Sequence, residues 1–277
     1  MQRRGTAGMS RGTAHNCSPQ KLPHQLTSFI GRDVELTELK RLLRERRLVT
    51  LTGAGGSGKT RLALEAAATL NRDFPGGIFL VELAPLSRPE LVTETVARVL
   101  GVEVAPERAP IDALTDFLRT RDALLLLDNC EHLLDECARL AAGLLAACPD
   151  LCVLATSREP LGVGGECMFR VPLLSLPDPN ETADFARLLD FEAVQLFVDR
   201  ARLASQDFAL TETTGDAVAQ VCIRLDGIPL ALELAAASLR ALSISQLAAR
   251  LDQRFRLLTS GDRTALPRHQ TLEALLD

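Results

Sequence analysis

Between Gly53 and Thr60 the chain reads Gly-Ala-Gly-Gly-Ser-Gly-Lys-Thr, and no other stretch restricts the possible fold as strongly. The octapeptide satisfies G-x-x-x-x-G-K-[ST] at every position, and its flanks are the ones this pattern requires. Ahead of it, the β-branched and apolar residues of 47–52 predict a buried strand. Behind it, Leu62, Ala63, Ala66, Ala67 and Leu70 recur at helical spacing. A strand, a glycine loop and a helix in that order turn successive backbone N–H groups inward. The helix N-terminus adds its positive dipole end, and together they form a cradle for a polyphosphate. In such a cradle Gly53, Ala54, Gly55, Gly56, Ser57 and Gly58 wrap the phosphates. Lys59 reaches the β- and γ-phosphates, Thr60 holds Mg²⁺ through its hydroxyl, and Arg61 follows directly. The bland alternative is a glycine-rich turn that binds nothing, which leaves the flanking strand and helix unexplained.

The rest of the chain alternates in the same way. Strands are expected at 78–81, 123–128, 151–156 and 168–171, with helices at 36–46, 89–100, 113–118 and 133–147. Apolar residues surround much of the 133–147 segment, which predicts a buried helix. Alternating strands and helices predict a parallel sheet covered on both faces. After the proline-rich hinge Pro172–Pro179 only helical patterns remain, near 190–204, 215–225, 229–241 and 246–254. The expected organisation is a leader over 1–24, an α/β domain over 25–175, a helical domain over 185–262 and a further element from 263 to 277.

Composition excludes several classes of function. The chain lacks Trp and Tyr and is only 4% aromatic, which argues against a base-stacking nucleic-acid platform. A net charge of −5 gives no global attraction to nucleic acid or anionic lipid. No apolar run approaches the roughly 18–20 residues of a membrane helix, and no apolar segment follows the basic Met1–Gly5 start. Neither a direct nucleic-acid site nor a membrane partner is expected, and the localisation expected is cytoplasmic. Seven scattered cysteines without paired C-x-x-C spacing read as reduced, mostly buried thiols rather than zinc ligands.

The second chemical signal is Leu124-Leu125-Leu126-Leu127-Asp128-Asn129. Four leucines make a buried strand, and Asp128 emerges at its carboxyl end, where ligands sit in open α/β sheets. Asp128 there can reach a magnesium held by Thr60, or simply cap the next helix. A third signal is Leu154-Ala155-Thr156-Ser157-Arg158. It sets Arg158 just past another buried strand, where a guanidinium can contact phosphate or lie on the surface.

These motifs, together with Phe29-Ile30-Gly31-Arg32-Asp33, Gly227-Ile228-Pro229-Leu230-Ala231-Leu232 and Arg268-His269-Gln270-Thr271-Leu272, occur in the order of a known family. The chain resembles the STAND class of signal-transduction ATPases, near the NB-ARC type of switch. More narrowly, it is similar to the ATPase modules of LuxR/AfsR-type bacterial regulators and their cyclase-linked relatives. The resemblance covers about residues 25–277 and implies a parallel P-loop sheet, a helical lid and the start of a truncated winged helix. It implies that Phe29, Ile30, Gly31 and Arg32 line an adenine and ribose pocket and that Pro229 packs on the adenine. It also implies that Thr60 and Asp128 hold Mg²⁺ and that Arg158 senses the γ-phosphate. From the residues alone, Gly31-Arg32 reads equally as a helix-entry turn with Asp33 as N-cap, and Gly227–Pro229 as ordinary helix punctuation.

One departure bears on mechanism. Many P-loop ATPases carry a glutamate directly after the strand-end aspartate; here Asn129 stands there and cannot accept a proton. Glu131 is the nearest carboxylate on the outgoing turn. Loss of a general base forfeits about 10²–10⁴ in rate, so turnover is expected to be slow. The expectation is an ATP/ADP- and Mg²⁺-binding switch with protein partners or self-association. The alternative is a non-hydrolysing, ADP-holding interaction module; a small-molecule kinase lacks an identifiable acceptor site.

Overall fold

The structure, a computed structural model, describes residues 22–23, 25–178 and 185–251. The leader apart from 22–23, the end of the hinge, the last helix beyond 251 and the 263–277 element lie outside the described residues.

Five strands form one fully parallel sheet: β1 Leu48–Thr52, β2 Gly77–Glu82, β3 Ala123–Asp128, β4 Leu151–Ser157 and β5 Cys167–Arg170. Their order is β2-β3-β4-β1-β5. The glycine loop leaves β1, which lies inside the edge strand β5, and the central strand β4 lies between β1 and β3. The two chemically marked strand ends are therefore separated by the end of a third strand. The four leucines of β3 show why both faces must be covered. Leu125 and Leu127 enter one core with α3 Leu91–Val99, α4 Pro110–Leu118 and α5 Leu134–Ala147. Leu124 and Leu126 point the other way, into a core with α1 Asp33–Glu45 and α2 Lys59–Thr69. Period-two alternation on a strand buried on both sides gives this continuous apolar run.

Two sequence expectations change here. Helix α5 is not buried all round: Cys137, Leu140, Ala141 and Leu144 face the core while Arg139, Ala142 and Gly143 are exposed. Its excess of alanine let the exposed side read as apolar. Asp33 is the first helical residue of α1 rather than its cap; the N-cap is Arg32, held left-handed at φ 64°.

A third core gathers the remaining helices, α6 Glu192–Ala204, α7 Glu212–Arg224 and α8 Pro229–Ala237, with a helical segment over 244–251. Phe197, Val218, Leu232 and Leu247 are buried in it, and Leu174 from the hinge joins them. Pro229 opens α8 at its first turn, where a missing N–H costs nothing. Before it, Gly227 is left-handed at φ 65°, and a Cβ there would lie 2.5 Å from the Leu174 carbonyl oxygen. No helix among the described residues is long and apolar enough to cross a membrane. The cysteines of the described residues are free thiols, all buried except the half-buried Cys167.

Candidate functional site

At the carboxyl ends of the strands, the glycine loop, the segment before α1 and the start of α8 enclose a cavity of about 390 Å³. Its walls include Phe29, Ile30 and Arg32, loop residues Gly55, Gly56 and Gly58, and Lys59, Thr60 and Arg61 at the head of α2. Asn129, Glu131 and Arg158 close one side, and Pro229 comes from the helical core. Gly53, Ala54, Ser57 and Gly31 support the site without lining it. The Gly53 and Ala54 carbonyls accept hydrogen bonds from Lys59 Nζ at 3.0 and 3.1 Å. Gly31 packs on the Glu192 side chain.

Asp128 is buried behind the cavity rather than in its lining, and one of its oxygens collects the hydrogen bonds there. Asp128 Oδ1 accepts the hydroxyls of Thr60 and of Thr156, each at 2.7 Å. Thr156 stands at the end of β4, so the intervening strand completes the network rather than interrupting it. Thr156 Oγ1 in turn accepts the Asn129 backbone N–H at 2.9 Å. This fixes the turn after β3, where Asn129 is left-handed at φ 65°. Asparagine tolerates that conformation better than most side chains.

The turn continues as a single 3₁₀ turn, Cys130–His132, which carries Glu131 back toward the loop. Glu131 Oε1 pairs with Arg158 Nε at 3.4 Å, while its Oε2 is buried without a partner among the described residues. Burial pushes the Lys59 ammonium below its usual pKa, with Arg158 adding to the effect while Glu131 and Asp128 oppose it.

Arg32, Arg61 and Arg200 also line the cavity. Arg32 is 4% exposed. Its Nη2 donates to the Pro172 carbonyl at 2.9 Å, while Nη1 is buried and unpartnered among the described residues. That nitrogen lies 3.4 Å from where a Cβ on Gly58 would stand, so it is beside the phosphate cradle. Arg61 bonds through Nη1 and Nη2 to Gln25 and Thr27, which anchors the entry segment along α2, while its Nε is buried and unpartnered among the described residues.

The helical core reaches the loop directly. The Leu230 N–H donates to the Gly56 carbonyl at 3.2 Å. A Cβ on Gly56 would lie 3.0 Å from Leu230 Cβ and 3.3 Å from Ile228 Cγ2. Pro229 is close to Gly58 in the same way, at 3.7 Å.

Sequence reasoning missed four contributors. Thr156 was visible as a polar residue at a strand end, yet its role needs the strand order. Glu233 falls one helical turn after Pro229 and could have been found from that spacing. Arg200 and Glu192 carry no local signal; tertiary placement alone brings them to the site.

The sheet, its glycine loop and the cavity define a P-loop NTPase fold. Matches to known proteins agree: the profile of the AAA domain family fits residues 40–163. A Mycobacterium tuberculosis protein named as an HTH-type transcriptional regulator is 47% identical over 240 residues, covering 86% of this chain and 25% of its own length. The regulatory protein AfsR of Streptomyces griseus is 33% identical over 268 residues, covering 89% of this chain and 25% of its own. The chain thus spans about a quarter of the length of these relatives. In fold it is similar to a STAND protein with a tetratricopeptide repeat sensor from Pyrococcus horikoshii, with TM-score 0.52 and 19% identity. That likeness covers 84% of this chain and 33% of the other. The chain resembles the P-loop segment of AfsR-type regulators.

Proposed function

We propose that this chain is the nucleotide-binding core of a signalling ATPase, a slow ATP/ADP switch within a transcriptional regulator. The observation that carries the reading is the cavity's double ownership: the glycine loop forms one wall, and α8 forms another through Pro229, Leu230 and the Leu230–Gly56 hydrogen bond. Loss of a phosphate from such a site changes what both units touch, which is the requirement for a hinge-type switch. The units proposed are 25–175 and 185–262.

The residues present fit a magnesium nucleotide. Thr60 and Asp128 offer adjacent oxygens, which suits Mg²⁺, a cation that keeps several waters and shares phosphate oxygens. The buried, unpartnered Arg32 Nη1 and the desolvated Lys59 ammonium fit anionic oxygens. ATP with Mg²⁺ supplies the transferable phosphoryl group. In this reading Lys59 neutralises phosphate charge, Thr60 and Asp128 hold the metal and Arg158 leaves Glu131 for the γ-phosphate. Glu131 Oε2 is then the carboxylate oxygen able to take a proton from water. Phe29, Ile30 and Pro229 enclose the adenosine, Gly31 supplies the turn that admits Arg32, and the main chain from Gly53 to Arg61 follows the phosphates.

The test is phosphate release by the purified chain with a Lys59→Ala control, together with mass spectrometry of the nucleotide that co-purifies. Slow turnover abolished by Lys59→Ala is expected; tightly held ADP with no turnover supports instead a non-hydrolysing interaction module. Asn129 favours that second reading, since the position beside Asp128 offers no base. The regulator names of the relatives support protein partners and self-association, with DNA contact assigned to segments outside this one.

A further inference from the structure

We propose that Glu233 reads the base of the bound nucleotide, selecting a 6-amino purine over a 6-oxo purine, and that Arg200 is the positioning residue that sets it. The proposal rests on the nucleotide reading above and extends it to specificity. The cavity has two chemically different ends. Lys59 belongs to the glycine loop, bonded to the Gly53 and Ala54 carbonyls, whereas Glu233 is tied through Arg200 to Ser28 in the entry segment, beside the Phe29–Arg32 stretch proposed above to enclose the adenosine. Arg200 is only 8% exposed, and each branch of its guanidinium is engaged. Nε donates to Glu233 Oε1 at 2.9 Å, Nη2 to the Ser28 carbonyl at 2.9 Å, and Nη1 to the Asp199 carboxylate. Two carboxylates, Asp199 and Glu233, face its single charge, so it serves as a fixed fork rather than a phosphate ligand.

The group that it fixes is Glu233. This residue sits one turn beyond Pro229 on α8, lines the cavity, and has a side chain 42% exposed. Its second oxygen has no partner among the described residues. An ionised carboxylate can only accept hydrogen bonds. In a cavity also lined by Phe29 and Leu196, a carboxylate set opposite position 6 of the purine suits the exocyclic N6–H of adenine, whereas a 6-oxo purine presents the acceptor O6 there and holds its donor one ring position away, at N1–H. A site built to receive an N–H rejects the analogue that lacks it more strongly than a purely apolar pocket can.

Titration of the purified chain with ADP and with inosine diphosphate, which differ at that position, tests this by calorimetry. Wild type is expected to prefer ADP by at least about tenfold, as for a hydrogen bond to a charged acceptor. Glu233→Gln, whose amide both donates and accepts, is expected to bring the two affinities within about threefold. Glu233→Ala, with its folding checked by a ligand-free thermal melt, is expected to do the same. Folded variants that keep the wild-type ratio overturn the proposal, as does a wild type that binds both nucleotides equally. A wild type that binds neither overturns the nucleotide reading itself.

Discussion

The Glu192 carboxylate accepts the main-chain N–H of Arg32 at 2.6 Å, joining the first turn of α6 to the entrance of α1 across 160 residues. Its other oxygen accepts the Ser175 N–H at 3.2 Å, and Ser175 Oγ accepts the Glu192 N–H at 2.9 Å. One side chain therefore ties the entry segment, the hinge and the helical core together. It also holds in place the backbone that buries Arg32.

Removing the clasp should loosen the hinge before it affects the sheet. Glu192→Ala leaves two backbone N–H groups without their acceptor and is expected to cost about 1–3 kcal/mol in urea unfolding. Gly31→Ala is expected to destabilise as well. Its φ is +69°, and the added Cβ would stand 2.8 Å from Glu192 Oε1. Wild-type stability in both variants would overturn this account of the hinge.

Thr156→Val should be felt at the metal position although Thr156 is no proposed ligand. The substitution preserves the shape of β4 but strips Asp128 Oδ1 of one donor and leaves the Asn129 N–H without its acceptor. A loss of about 1–3 kcal/mol in stability is expected. The Mg²⁺ concentration needed for half-maximal nucleotide binding should also rise, read by titration with and without the metal.

Asn129 is constrained by backbone as much as by chemistry. At φ 65° and ψ 54°, Asn129→Gly is expected to be neutral within a few tenths of a kcal/mol. Asn129→Glu should cost about 1–2 kcal/mol in chemical denaturation. Equal stabilities would show that the turn relaxes. The expected cost gives a physical reason why a carboxylate is disfavoured at position 129.

Cys152 supplies a pH dependence. Burial raises its thiol from 9.0 to about 12, so between those values the unfolded chain sheds a proton that the folded chain keeps. Stability contributed by this group is present below about pH 9 and falls as pH rises, by up to about 1.4 kcal/mol per unit. Unfolding at pH 8, 9.5 and 10.5 should show a shallower decline in Cys152→Ala than in wild type. An unchanged slope would exclude the thiol as its source.

The sheet was legible because each of its signals is local. A four-leucine run buried on both sides and a glycine loop between strand and helix need no tertiary context. The strand β1 falls at 48–52 as expected, and Asp128 does end β3. The site was legible only in part, since Asp128 meets Thr60 through the neighbourhood of β4, and sequence spacing does not encode strand order. Arg32 was expected beside adenine and ribose from its motif alone; that its Nη1 comes close to Gly58 is a tertiary placement which the motif does not encode. Arg61 belonged to the phosphate motif by position; its Nη1 and Nη2 bond to Gln25 and Thr27, contacts that sequence spacing does not encode. Arg200 and Glu192 had no periodicity or motif to announce them.

The contact between Gly56 and Leu230 has a genetic corollary. Gly56 is left-handed at φ 73°, and both its carbonyl and its missing side chain are used by the start of α8. A lesion at this one codon cannot separate failure to hold a ligand from failure to transmit its presence. Suppressors of Gly56→Ala are therefore expected at Ile228 or Leu230, as smaller residues that yield space, and not within the loop itself.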